Sequence, residues 1–307
     1  MHLQIKQANI GYDPTLISNA DAALKLGEVC LLIGNNGVGK TTLIKSILHQ
    51  TPLLSGEILI NNKNIKSHSV KEIAEHIAVV FSKSAIPQNY TVEDLISLGK
   101  YIYYPFYFEL KKKDRNEVAG IMEELKLIQY KDTLLKNLSD GNLQKAFIGR
   151  ALIQNSPIII LDEPTTHLDE KNKLIILKTL RDLAQKQNKL IIFSSHDWRL
   201  AKEFADHMWY IKNSHLYSGI VEDILLQHKE LTSAALFQIN KDFVAPKISA
   251  PSVQKEMLYS LLQKNFQKDL SFLNFYFNDT FWIISYNSVQ QQCESFEEII
   301  KFIKTIQ

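Results

Sequence analysis

The segment Gly34-Asn35-Asn36-Gly37-Val38-Gly39-Lys40-Thr41 spells G-x-x-x-x-G-K-[ST], with Thr42 directly after it. Those residue types at that spacing suit the binding of a polyphosphate. Glycines let successive backbone N–H groups curl around phosphate oxygens without Cβ clashes, forming an anion nest at a helix N-terminus. Lys40 has the reach for the β- and γ-phosphates, and the Thr41 hydroxyl is an oxygen ligand suited to Mg²⁺. Far downstream, an apolar run from Pro157 to Leu161 ends in Asp162-Glu163. Asp162 stands where a metal-binding carboxylate belongs, and Glu163 is positioned to orient or deprotonate an attacking water. An Asp-Glu pair alone also reads as a solvated turn. Beside the glycine loop it describes hydrolysis of a nucleoside triphosphate.

These residues need a scaffold that brings them together. The run Glu28 to Ile33 is almost wholly apolar, the glycine loop follows, and LIKSILHQ then has helical spacing. A buried strand, a glycine-rich turn and a helix in that order open an α/β unit. HLQIKQANI alternates as a strand, Ser55 to Ile60 reads as a strand closed by an Asn61-Asn62 turn, and Ile77 to Phe81 as another. From Thr91 to Leu138 the pattern is mostly helical, with Thr91 a suitable N-cap for VEDLISLG. The β-branched run at Pro157–Leu161 suits a parallel strand buried on both faces, Lys171 to Gln187 is helical, and Leu190 to Ser194 is again a buried strand. The predicted fold is an α/β sheet domain with an inserted helical subdomain.

Four further features narrow the class. Leu138-Ser139-Asp140-Gly141-Asn142 precedes a helical stretch, and LDEPTTHLD carries the acidic strand into a loop ending at Leu168-Asp169. His196 follows the next apolar strand, and Tyr12 lies upstream of the glycine loop, where an aromatic ring can stack on a base. Each is commonplace by itself: a turn, a surface histidine, a packing tyrosine. In this set and order, over roughly residues 1–225, the chain resembles the ATP-binding-cassette (ABC) ATPases. The resemblance implies two subunits sandwiching two ATP molecules head to tail. Tyr12 would stack on adenine, while Gly34 to Gly39, Lys40, Thr41 and Thr42 would hold phosphates and Mg²⁺. Asp162 would ligate metal through water, Glu163 would be the general base, and His196 would sense the γ-phosphate. Ser139 and Gly141 would contact the γ-phosphate held by the other subunit, and Asp169 would link the two sites. Independently of the resemblance, Ser139 is a good N-cap for a helix that would aim its positive end at an anion.

Two positions depart from the family pattern. Ser82 stands at the end of the Ile77–Phe81 strand where a metal-contacting glutamine is usual, which predicts a weaker or water-mediated contact. Asp140 and Asn142 replace the common Gly and Gln of the signature. The segment Thr91 to Tyr101 looks like that of importers of iron–siderophore complexes, haem and vitamin B12. The aromatic cluster Tyr101, Tyr103, Tyr104, Phe106, Tyr107 and Phe108 after it suits either docking on a permease or packing within the insert. The expected function is the ATP-hydrolysing subunit of such an importer. It would be a homodimer with ATP and Mg²⁺, peripheral at the cytoplasmic face of the cell (inner) membrane. Two alternatives remain open: a soluble ABC ATPase acting on a macromolecule such as a ribosome, and a weakly hydrolysing nucleotide-gated module.

The rest of the chain sets limits. At 307 residues there is room for one large domain and a small appendage, and a net charge of +2 gives no electrostatic case for nucleic acid. Only Cys30 and Cys293 are present, so no disulfide framework is expected. No signal peptide is expected from the first residues, and no stretch approaches the roughly 18–20 apolar residues of a membrane span, so no direct insertion is predicted. The expected organisation is an ABC domain at 1–225 with its helical insert at about 91–150, a linker at 226–250, and a small α+β appendage at 251–307. That appendage reads as a helix, a hairpin turning at Asn278-Asp279, and a final helix.

Overall fold

In a computed structural model, residues 2–82, 89–104, 109–232, 243–266, 269–287 and 289–306 are described. The chain forms two compact units, residues 1–224 and 225–307.

The first unit holds two sheets. An antiparallel sheet runs in the order β2-β1-β4-β5, from Leu3–Gly11 (β1), Thr15–Leu24 (β2), Ser55–Ile60 (β4) and Lys63–Asn64 (β5). Asn61 and Asn62, both at positive φ, make the two-residue turn into β5. The second sheet runs in the order β10-β9-β3-β8-β7-β6. Its strands are Val29–Gly34 (β3), Ile77–Val80 (β6), Ile158–Leu161 (β7), Leu190–Ser194 (β8), His207–Lys212 (β9) and His215–Ile220 (β10). Every pairing from β9 to β6 is parallel, and β10 alone is antiparallel. All residues of β7 and β8 are buried, as sheets covered on both faces require.

Helix α1 (Lys40–Ile47) follows β3 directly and buries Leu43, Ile44 and Ile47 in the same core as Cys30, Leu32, Ile160 and Ile192. Helix α2 (Val70–His76) leads into β6, starting from a capping box between Ser69 and Glu72. The helical insert comprises α3 (Val92–Ser97), capped as expected by Thr91, which forms a capping box with Asp94, then α4 (Lys112–Glu124) and α5 (Asp140–Ile153). A 3₁₀ segment at Leu98–Tyr103 lies against α5 so closely that a Cβ on Gly99 would stand 2.2 Å from the Arg150 carbonyl oxygen. Helices α6 (Glu170–Gln187) and α7 (Trp198–Ala201) follow β7 and β8, and α8 (Val221–Gln227) follows β10. This is the α/β cassette with a helical insert that the sequence predicts.

The far end of α5 is tied to the sheet. Arg150 donates to the Val79 carbonyl (2.8 Å), and the Gln154 amide donates to the Ala74 and Ile77 carbonyls (2.7 and 3.1 Å). Such bonds satisfy backbone acceptors at the edge of β6 and hold the insert to that strand.

In the second unit, α9 (Lys229–Thr232) precedes a four-stranded sheet in the order β11-β12-β13-β14. Its strands are Lys247–Ser249 (β11), Asn274–Phe277 (β12), Trp282–Tyr286 (β13) and Val289–Cys293 (β14). Strand β11 pairs parallel with β12, and the rest are antiparallel. Helices α10 (Ser252–Asn265) and α11 (Phe296–Ile306) contribute Leu258, Leu262, Ile299 and Ile303 to a core with Phe275, Trp282 and Ile284. The β12–β13 hairpin turns at Asn278, whose side chain accepts from the N–H groups of Thr280 and Phe281.

Two strands here were not anticipated. β11 falls within the stretch read as a linker, residues 233–242 of which lie outside the described part. β14 carries the polar run Gln290-Gln291-Gln292, exposed at a sheet edge. A three-residue strand and an edge strand without apolar alternation leave no periodic signal.

Candidate functional site

The phosphate loop, Asp162-Glu163 and His196 all emerge from the C-terminal ends of adjacent parallel strands, β3, β7 and β8. That edge is where ligands bind in open α/β sheets.

The loop is shaped by backbone conformations closed to most side chains. Gly37 and Gly39 have φ of +80° and +109°, and Gly39 opens α1 with no side-chain cap. The first N–H groups of α1 are therefore left for a ligand. Gly34 must lack a side chain, since a Cβ there would stand 2.8 Å from the Ile211 carbonyl oxygen. Lys40, only 7% exposed, donates its ammonium hydrogens to the Gly34 and Asn35 carbonyls (2.8 and 3.1 Å). Burial holds its pKa below the usual lysine value, opposed by the carboxylates of Glu163 and Asp162. A desolvated ammonium facing those carboxylates suits an anionic ligand that brings charge to the loop. Asn35, Asn36 and Gly37 are exposed; Val38 and Thr42 are half-buried.

A chain of hydrogen bonds joins the loop to the two strand ends. Thr41 Oγ1 donates to Asp162 Oδ2 (3.0 Å), and Ser194 Oγ donates to Asp162 Oδ1 (2.7 Å). The Glu163 N–H donates to Ser194 Oγ (2.8 Å). Glu163 sits at φ +56°, a left-handed conformation that is costly for a side chain this size and is retained where surroundings enforce it. Its Oε1 lies 2.7 Å from His196 Nε2, and its Oε2 accepts from Thr166 Oγ1 (3.3 Å). With an acidic oxygen as the partner, Nε2 is the protonated nitrogen of the ring. Thr41 and Asp162 converge as hard oxygen donors, the donor type Mg²⁺ selects, so the residues present fit that ion.

The remaining sequence-predicted residues lie around this chain. Ser82 is exposed two residues beyond β6, whose last register pair with β7 is Val80 with Leu161. Tyr12 is 60% exposed in the turn from β1 to β2; four residues later Leu16 packs against Gly39, where a Cβ would come within 3.2 Å. Ser139 caps α5, accepting from the Asn142 N–H (3.4 Å), and Asp169 caps α6, accepting from the Asn172 N–H (2.7 Å). Among the described residues no hydrogen bond joins Ser139, Gly141 or Asp169 to Lys40, Asp162 or Glu163.

Sequence reasoning missed Ser194, fully buried between the two acidic residues. Its signal was a hydroxyl closing an otherwise apolar strand two residues before His196. It also missed Lys173, whose ammonium donates to Asp197 Oδ2 (2.7 Å) beside His196. Of the aromatic cluster, Tyr101 is 62% exposed, while the Tyr103 hydroxyl donates to the Gln154 carbonyl (2.7 Å) and the Tyr104 hydroxyl to Asp114. Phe106, Tyr107 and Phe108 lie outside the described residues.

Residues 17–166 match the family described as ABC transporter. The chain is 32% identical over 219 residues to YusV of Bacillus subtilis, named as a siderophore transport system ATP-binding protein, covering 71% of this chain and 80% of that one. It is 30% identical over 257 residues to the iron(3+)-hydroxamate import ATP-binding protein FhuC of the same organism, covering 81% and 93%. Among solved structures, a metal-chelate type ABC transporter in an inward-facing conformation aligns with a TM-score of 0.66 at 25% identity, covering 73% of this chain and 85% of that one.

Proposed function

The chain belongs to the ABC transporter ATP-binding family, whose members bind and hydrolyse ATP to power transport, and on that premise we propose the following division of labour among its residues. The observation that carries the hydrolytic reading is the unbroken hydrogen-bonded chain Thr41–Asp162–Ser194–Glu163–His196 at the mouth of the phosphate loop. The N–H groups from Gly34 to Thr42 and the Lys40 ammonium receive the triphosphate, and Tyr12 stacks on the base. Thr41 and Asp162, with Ser82 through a weaker or water-mediated contact, would hold Mg²⁺, which would supply charge neutralisation to the phosphates. Glu163 accepts a proton from the attacking water at a carboxylate oxygen. His196 fixes that carboxylate through Nε2 and reads the terminal phosphate.

ATPase subunits of ABC importers dimerise and work on membrane permeases. The place of Ser139 and Gly141 at the head of α5, without a hydrogen bond to Lys40, Asp162 or Glu163 among the described residues, supports a second copy as the partner. They serve the phosphate held by that copy, and Asp169 links the two sites. The working cassette is residues 1–225, and the appendage that follows has its own sheet, which begins with β11 at Lys247. No helix among the described residues is long and apolar enough to cross a membrane. The roles named for its relatives support action from the cytoplasmic face of the inner membrane through a separate permease, docked in part by the exposed Tyr101. The cargo is an iron–siderophore, haem or cobalamin-type compound, and the named roles of YusV and FhuC favour the iron–siderophore class.

The test is a pull-down from native membranes with tagged Glu163→Gln protein, which holds the ATP-closed dimer. Recovery of a polytopic permease is expected. Recovery of ribosomes, or of soluble partners alone, would overturn the importer reading in favour of an ATPase acting on a macromolecule.

A further inference from the structure

The first turn of α6 touches the head of α5 at one point. A Cβ placed on Gly141 would lie 2.9 Å from both the amide carbon and the amide oxygen of Asn172, and 3.2 Å from its nitrogen. Gly141 is buried and Asn172 half-buried, so the amide lies directly against the Gly141 backbone. That amide is not free to turn aside. Asp169 holds Asn172 twice, Oδ1 accepting from its N–H (2.7 Å) and Oδ2 from its Nδ2 (3.1 Å). A short side chain gripped by a carboxylate is a stiff contact, unlike the tip of a lysine or glutamine.

We propose that Asn172 is a positioning residue that sets the N-terminus of α5, and with it Ser139 and Gly141, at a fixed distance from Asp169. This rests on the reading that Ser139 and Gly141 meet the phosphate of a second copy. It assigns Gly141 a second reason to be glycine, which acts within its own chain. The lever is short: Asp169 caps α6, Asn172 sits in the first turn, and Gly141 is the second residue of α5. A shift of Asp169 on dimer closure is thereby carried to Ser139 without passing through the sheet. Displacement of about 1 Å at such a contact is enough to cost on the order of a hundredfold in rate when it misplaces a reacting group.

The experiment compares Asn172→Ala, Gly141→Ala and the double variant in the full-length chain. Asn172→Ala should lower kcat about tenfold or more while leaving the dissociation constant for a fluorescent ATP analogue and the melting temperature unchanged, because the Lys40 cradle is untouched. Gly141→Ala should be more severe, and adding Asn172→Ala to it should recover part of the lost activity, a non-additivity expected of groups in contact. An unchanged kcat in Asn172→Ala, or a double variant as poor as Gly141→Ala, would overturn the proposal. Ser139→Ala in the Glu163→Gln background separates the two layers. Loss of the ATP-trapped dimer there upholds the sandwich on which the proposal depends; its persistence would sink that reading and the proposal together.

Discussion

His196 Nε2 stands 2.7 Å from Glu163 Oε1, so the ring that follows β8 clamps the carboxylate that follows β7. A carboxylate held on both oxygens, by His196 and by Thr166, is oriented before any substrate arrives. Glu163→Gln should lower steady-state ATP turnover by about 10² to 10⁴-fold. His196→Ala should lower it as well while leaving nucleotide binding intact. Phosphate release and equilibrium nucleotide binding, measured on the same preparations, check both.

Ser194 connects the two acidic residues without touching substrate. Ser194→Ala removes the acceptor of the Glu163 N–H and the donor to Asp162 in a fully buried place. An unsatisfied buried group costs about 1–3 kcal/mol, so chemical denaturation should show a loss in that range. Turnover should fall more than stability alone explains, since Glu163 is freed to leave its left-handed conformation.

Lys173 braces the loop after β8 from the side of α6, and its hydrogen bond with Asp197 raises its pKa. Lys173→Met should weaken hydrolysis modestly. Because Asp197 is 43% exposed, salt should attenuate the difference between variant and parent. Turnover measured from low to high ionic strength reads this directly.

A site whose phosphate contacts come from a second copy is incomplete in the monomer. Specific activity should rise with protein concentration below the dimerisation constant. Strict proportionality between total rate and concentration throughout would argue for a self-sufficient monomer.

Glu72 offers a pH signature outside the site. Its carboxylate closes the capping box with Ser69, whose N–H and hydroxyl, aided by Lys63, lower its pKa from 4.5 to about 2. A depressed acid contributes stability above its unfolded pKa, and that contribution is lost as pH falls from about 4.5 towards about 2. Carboxyl NMR titration should place the Glu72 midpoint near the lower value, and Ser69→Ala should move it upward.

What the sequence determined by itself is the local chemistry. Gly34 to Thr42, Asp162-Glu163 and the buried strands around them are legible because their residue types are fixed by contiguous backbone geometry: a glycine nest, an all-apolar parallel strand, a helix start. Thr91 as a cap and the Asn278 hairpin turn are legible for the same reason. The tertiary structure alone decided which residues meet across the chain. Ser194 between Asp162 and Glu163, Asn172 against Gly141 and Lys173 beside Asp197 are contacts between elements 24 to 32 residues apart. A serine ending a strand or an asparagine in a first helical turn carries no periodic signal of its partner. Strand register and helix packing set those meetings, and a single sequence does not display them.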